Sequence, residues 1–142
     1  MSDELQDIMA SIATIQEAIT PPTGQNAAKA TDEPPVSIGT FPMFVNLEES
    51  STPEPAAGGG PRINRHVIGM NLVFQPADTK YAVRQRRPWY ELVLDAFDTS
   101  ANQLIGGHAN GSQIIGVEYD AFAWNGQDYP CITFMLEVVG YK

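Results

Sequence analysis

Apolar residues recur along this chain with two different periods, and the periods predict its helices and strands. In the first twenty residues the spacing is three or four, which predicts an amphipathic helix over residues 1–20. The apolar positions of this helix are Leu5, Ile8, Met9, Ile12, Ile15 and Ile19. Pro21 and Pro22 end the pattern. Residues 21–39 have no period and many helix breakers, so we expect a linker or arm there.

Two segments with a period of two predict strands. The segment "TFPMFVNL" begins at residue 40 and alternates apolar with other side chains, and Pro42 places it at a sheet edge or a strand start. The segment "INRHVIGMNLVF" begins at residue 63 and has one mainly apolar face: His66, Ile68, Met70, Leu72 and Phe74. Residues 48–62 separate the two strands. They are polar and rich in Gly and Pro, which predicts a long flexible loop.

The second half of the chain predicts one more helix and a hairpin. "QPADTKYAVRQRR" has no clear period, so we expect an irregular or extended segment before a helix over residues 87–99. The apolar stripe of that helix is Trp89, Leu92, Val93, Ala96 and Phe97, with Pro88 in its first turn. Near the C-terminus, "IIGVEYDAFAW" and "YPCITFMLEVVGY" flank Asn125–Gly126, the preferred dipeptide of a tight β-hairpin.

These elements predict a single α+β domain over residues 1–142. We expect a mainly antiparallel sheet of about four strands within residues 40–142, with two helices packed against it. The last two strands carry apolar side chains on both faces, which predicts a sheet covered on both sides by helices or by neighbouring subunits. Because residues 21–39 are long for a simple connection, the first helix could instead pack on a neighbouring subunit.

Charge is distributed unevenly, and this narrows the kinds of partner. The net charge is −9, divided into −8 over residues 1–61, +5 over residues 62–87 and −6 over residues 88–142. Non-specific nucleic-acid binding depends on neutralising phosphates, so an acidic chain of this kind is expected to repel nucleic acid overall. The basic middle would let copies of the chain attract one another, although a solvated charge run explains it equally simply.

Few residues suggest catalysis. Cys131, His66 and Asp120 form the one conceivable nucleophile, base and orienting group. His66 is in phase with an apolar strand face and Cys131 lies in mid-strand, so both are better explained as structural residues. The single cysteine excludes an internal disulfide and fits a reducing compartment. No metal-binding spacing, export signal or apolar run long enough to span a membrane is present.

A basic cluster before the second helix is the only sequence typical of nucleic-acid contact. It contains Arg84, Arg86 and Arg87, with Trp89 beside them. Trp89 belongs to the apolar stripe and is expected in the core. With the acidic total, this favours a role for the arginines in protein–protein contacts.

The order of these elements resembles the tail terminator (tail completion) proteins of long-tailed bacteriophages. The resemblance rests on the N-terminal helix, "FPMFVNL", the long loop, "INRHVIGMNLVF", "RRPWYELVLDAF" and the closing "GVEYDAFAWNGQDYPCITFMLEVVGYK". It implies a non-enzymatic virion protein without a cofactor. Such a protein forms a homo-hexameric ring that caps the tail tube, ends its polymerisation and joins it to the head-side neck or connector protein. DNA would pass through the ring without specific binding.

The resemblance also suggests roles for individual residues. Residues 48–62 would be an assembly loop, with a tolerated insertion as the equal alternative. The candidate subunit-interface residues are Arg62, Arg65, Arg84, Arg86, Arg87, Glu49 and Glu54, and the candidate lumen-facing acids are Glu118, Asp120 and Asp128. Exposed strand edges would extend the sheet between subunits. Another head–tail joining or tail tube subunit is the main alternative, and a small Cys/His hydrolase or ligand-binding domain is a remote one.

Overall fold

The computed structural model describes residues 4–55, 58, 62–76 and 79–141, with only the backbone described at Thr79 and Tyr141. Among these residues the chain forms two helices and five strands, with a short 3₁₀ turn at Asn102–Leu104. In chain order they are α1 Glu4–Glu17, β1 Lys29–Ala30, β2 Met43–Glu54, β3 Ile63–Val73, α2 Thr79–Asp98, β4 Gly111–Trp124 and β5 Gln127–Tyr141.

The strands form one sheet in the order β1-β2-β3-β5-β4. Only the pairing of β1 with β2 is parallel, and the other three pairings are antiparallel. This confirms the predicted α+β class. The strand beyond the expected four is β1, a two-residue element within the predicted linker. Asn125 and Gly126 both have positive φ and join β4 to β5, as the hairpin signal predicted.

One face of the sheet is closed by the two helices, and it holds the main core. Alternation along β3 and β5 turns every second side chain toward the helices. These buried strand residues are Ile68, Met70, Leu72, Ile132, Phe134, Leu136 and Val138, and they pack with Ile8, Ile12, Trp89, Val93 and Phe97 of the helices. Helix α1 therefore packs on its own sheet. Trp89 is fully buried, as predicted, and its indole N–H donates to Gln25 Oε1 at 2.9 Å.

The opposite face, called the open face below, is covered by described residues only at one end. There a second cluster joins Ile38 to Met43, Val45, Val73 and Tyr129. The indole of Trp124 donates to the carbonyl of Pro35 at 3.1 Å, which ties residues 35–38 to the β4–β5 hairpin. Among the described residues, the sheet is therefore covered on both sides only at that end, and cover of the rest by neighbouring subunits stays a prediction.

Helix α2 begins at Thr79, two turns earlier than the predicted start at residue 87. The sequence predicts an irregular segment for its first two turns, because basic residues hide the apolar period there. Ala82, seven residues before Trp89, is buried on the same side of the helix. Pro88 consequently lies inside the helix rather than in its first turn. It removes one backbone donor but does not end the element.

The predicted loop over residues 48–62 is also shorter in the structure. Strand β2 continues to Glu54 and pairs with β3 as far as Glu54 opposite Ile63. The side chains of this part of β2 are mostly polar and exposed, so they give no apolar alternation. A bulge at Glu49 shifts the register, and a Cβ on Gly69 would lie 2.6 Å from Glu49 Oε1. Of the remaining connection, residues 56, 57 and 59–61 lie outside the described residues.

Candidate functional site

The basic middle of the sequence does not form one patch. Arg65 is on β3 opposite Val139, whereas Arg86 of α2 donates to the carbonyl of Cys131 at 3.2 Å. Cys131 pairs with Val73, eight residues along β3 from Arg65. At about 3.3 Å per residue, the two arginines are anchored to positions roughly 26 Å apart. The basic run over residues 62–87 is therefore divided into two halves, because the sheet separates Arg65 from Arg86.

Arg65 is already paired within the chain. Its Nε lies 2.8 Å from Glu54 Oε1 and its Nη1 lies 3.8 Å from Glu137 Oε1, all on the open face. Arg65 and Glu54 were both expected at a subunit interface, and here they neutralise each other. Arg62 is exposed just before β3, at the same end of the sheet.

The other arginines lie beside β4, where a groove separates α2 from the strand. This α2–β4 groove has a volume of about 360 Å³ and is lined by Val83, Arg86, Arg87 and Tyr119. The guanidinium of Arg86 lies 5.6 Å from the centre of the Tyr119 ring, a cation–π distance. Its Nε–H has no acceptor among the described residues. Arg87 is exposed and makes no ion pair within the described part of the chain. Arg84 is also exposed but does not line the groove.

Strand β4 ends the sheet on this side. It is 14 residues long, and no described strand pairs with its outer side. Ile115 and Tyr119 on this strand are both 51% exposed. A bulge between Ile114 and Gly116 is the one irregularity of its pairing with β5. A long edge with exposed apolar side chains is a natural template for another strand.

The opposite edge of the sheet is formed by β2, and its free part is acidic. Strand β1 pairs only with Met43 and Phe44, so the rest of β2 has no outer partner among the described strands. The side chain of Asn46 donates to the carbonyl of Thr31 at 3.4 Å, which brings residues 31–33 beside β2. We call the following residues the acidic flank: Asp32, Glu33, Glu48, Glu49 and Glu54.

The three acids expected to face a lumen are not all on one face. Glu118 pairs with Thr133 and Asp120 pairs with Cys131, so both belong to the open face. Asp128 precedes Tyr129, an open-face residue, and strand alternation turns it the other way. All three acids are exposed. The structure thus brings together Glu118 and Asp120, with Glu137 and Glu54 elsewhere on the same face.

The conceivable Cys/His constellation is not assembled. Cys131 pairs with Val73 and His66 with Val138, so about seven residues of strand, or roughly 23 Å, separate them. Burial raises the pKa of the Cys131 thiol to about 11, which opposes formation of a nucleophilic thiolate. A search of the described residues finds no group of His, Cys, Asp and Glu suited to a metal ion.

His66 instead belongs to a buried polar cluster that sequence reasoning missed. Its Nδ1 lies 2.7 Å from Ser51 Oγ and its Nε2 lies 3.2 Å from Glu4 Oε2. Asn64 also donates to Glu4 Oε2, at 2.9 Å. A Cβ at Gly140 would lie 2.5 Å from Glu4 Oε1, so glycine allows the carboxylate to approach the sheet. Glu4 is 62 positions from His66, and no local pattern links them.

Comparison of the sequence with protein-family models and with curated proteins finds no match. Neither described helix is long and apolar enough to cross a membrane.

Proposed function

We propose that this protein is a structural virion subunit of the tail terminator kind, which assembles head to tail into a ring that caps the tail tube. The observation that carries the proposal is that the β4 edge and the distal β2 edge have no outer strand among the described residues and carry opposite charges on the helix side of the sheet. The β4 side has the groove with Arg86 and Arg87, and the β2 side has the acidic flank. Because the two surfaces differ, a contact between them repeats in one direction and either closes into a ring or continues as a filament.

The open face supports the same proposal. Away from the cluster around Val45 it has no cover within the described chain, and it carries Glu118, Asp120 and Glu137. An acidic surface repels the phosphates of DNA and so favours free passage over binding. In the proposed ring this face lines the channel, with Glu118 and Asp120 as lumen acids. Asp128 is not proposed there, because it lies on the other face.

The proposed partners follow from the position of such a ring. One end meets the tail tube protein and stops its polymerisation, and the other meets the head-side neck or connector protein. The subunit is assembled in the host cytoplasm and remains at the head-proximal end of the tail. It performs no catalysis and needs no cofactor in this role.

The test is native mass spectrometry of the purified chain over a range of concentrations, with negative-stain images of the same samples. A closed ring of six 15.5 kDa subunits, about 93 kDa, is the expected result. Open filaments would favour a tail tube subunit, the main alternative, since the same contact would then fail to close. A chain that stays monomeric at the highest concentration would contradict self-assembly.

A further inference from the structure

We propose that the α2–β4 groove and free β4 edge of one copy receive the β2 edge and acidic flank of a second copy of this chain. The inference rests on the proposed ring and specifies the contact that builds it. The proposed contact is a single interface between two unlike surfaces, and the β-sheet would continue across it from one subunit to the next.

Strand direction allows this pairing without turning a subunit over. Each of the three pairings from β2 through β3 and β5 to β4 is antiparallel, so β2 and β4 run in opposite directions. Two copies in the same orientation, placed side by side, therefore bring β4 against an antiparallel β2. Antiparallel pairing would satisfy the backbone N–H and C=O groups that both edges leave free.

Charge favours this pairing on the helix side of the sheet. Arg87 is exposed beside β4, and Glu33 and Glu48 are exposed beside β2. None of these three makes an ion pair within the described residues. Side-by-side packing brings the arginines of one copy to the acids of the next. Opposite charges across an interface also speed association and fix its register.

The alternative pairing of β4 with a second β4 is disfavoured by the same charges. A two-fold axis perpendicular to the sheet would place both α2 helices on one face and bring Arg86 and Arg87 of each copy together. Like charges facing each other oppose association. That pairing also ends at two copies, whereas the proposed one leaves a free edge at each end for further subunits.

Cross-linking with single cysteines tests the pairing directly. Gln113 and Ser50 are exposed and lie in one row across the open face, through Glu137 and Val67. We would prepare Ser50→Cys and Gln113→Cys and treat them separately and mixed with a short bismaleimide. Cys131 is buried with a pKa of about 11, so the native chain provides a silent background. A cross-linked dimer only in the mixture is the expected result.

The other outcomes separate this inference from the proposed ring. A dimer from Gln113→Cys alone would establish β4–β4 pairing and overturn the inference. Closed rings without a cross-link in the mixture would also overturn it, while the proposed ring would stand. A cross-link confined to the mixture, in filaments rather than rings, would support the strand pairing and contradict the terminator proposal.

A charge reversal provides an independent test. Arg87→Glu is expected to weaken self-association at least tenfold, measured by analytical ultracentrifugation at low salt. Arg84→Glu is the matched control, since Arg84 has the same charge on the same helix but does not line the groove. Each of the variants Arg87→Glu and Glu48→Lys brings like charges together in contacts with its own copies, whereas every contact between the two variants joins opposite charges. Mixing them is therefore expected to restore binding and to give mixed assemblies. Equal loss in both arginine variants, or no mixed assembly, would overturn the proposal.

Discussion

The two faces of the sheet differ in how deeply their side chains are buried, although the same strands supply both. Phe134 on β5 points to the helices and is fully buried, while its neighbour Met135 points to the open face and is only half-buried. Along the row of Met135, the strands on either side contribute Gly69 and Gly116, which add no side-chain packing. The helix face therefore supplies most of the core. The open face contributes less packing, so its side chains can be charged or make other contacts.

The largest expected difference in stability is between alanine substitutions at two adjacent residues, one on each face. Phe134→Ala removes a fully buried ring from the helix face and is expected to lower the free energy of unfolding by about 3–5 kcal/mol. Met135→Ala removes a half-buried thioether and is expected to cost about 1 kcal/mol or less. Urea denaturation of both variants measures the two values. Similar losses would mean that the open face is covered in solution, which would contradict its proposed place along the channel.

The pH dependence of stability tests the burial of Cys131 at the covered end of the open face. The residue is 1% exposed, and burial raises the pKa of its thiol from 9.0 to about 11, so folding favours the neutral form. The contribution of this buried neutral thiol to the free energy of unfolding is complete below pH 9 and is lost as the pH rises through 11. Two pKa units correspond to about 2–3 kcal/mol. Unfolding free energies of the native chain and Cys131→Ala, measured from pH 7 to 11, should converge by this amount. Parallel curves would contradict it.

Sequence reasoning found the parts of the fold whose signals are local. The apolar spacing of Ile8 and Ile12 predicts the buried face of α1, and both residues are buried in the core. The Asn125–Gly126 turn was identified because positive φ restricts the residues that fit. The distal half of β2 and the first two turns of α2 were missed for one reason. Neither has a continuous apolar face, since the first is exposed and the second is rich in Lys and Arg.

The candidate site was less accessible to sequence reasoning, because it depends on strand order and register. Arg65 and Arg86 belong to one basic run, and only the path of β3 reveals that they lie at different ends of the sheet. The α2–β4 groove joins Arg86 to Tyr119 across 33 positions of sequence. The predicted role of basic residues in assembly thus stays a prediction, now confined to the arginines beside β4.

A smaller effect is expected from the one buried amide pair on the helix face. Gln16 and Asn46 exchange two hydrogen bonds, of 2.7 and 2.8 Å, and are 0% and 2% exposed. Gln16→Leu leaves the Asn46 amide without this partner, which should cost about 1–3 kcal/mol. The double variant with Asn46→Leu should cost less than the sum of the single changes. Additive losses in a double-mutant cycle by urea denaturation would show that the amides do not cooperate.

The smallest effect should come from the open-face ion pair at the other end of the sheet. Arg65 and Glu54 have side chains that are each 44% exposed, so solvent screens their attraction. Arg65→Ala is expected to lower the unfolding free energy of the monomer by about 0.2–1 kcal/mol, and less in high salt. Thr52→Ala, a neutral exposed change opposite Arg65, is the control. A loss above about 2 kcal/mol that persists in 1 M salt would mean that this end of the open face is desolvated. The contrast between a closed face that sets stability and a solvent-exposed open face would then fail at the acidic end of β2.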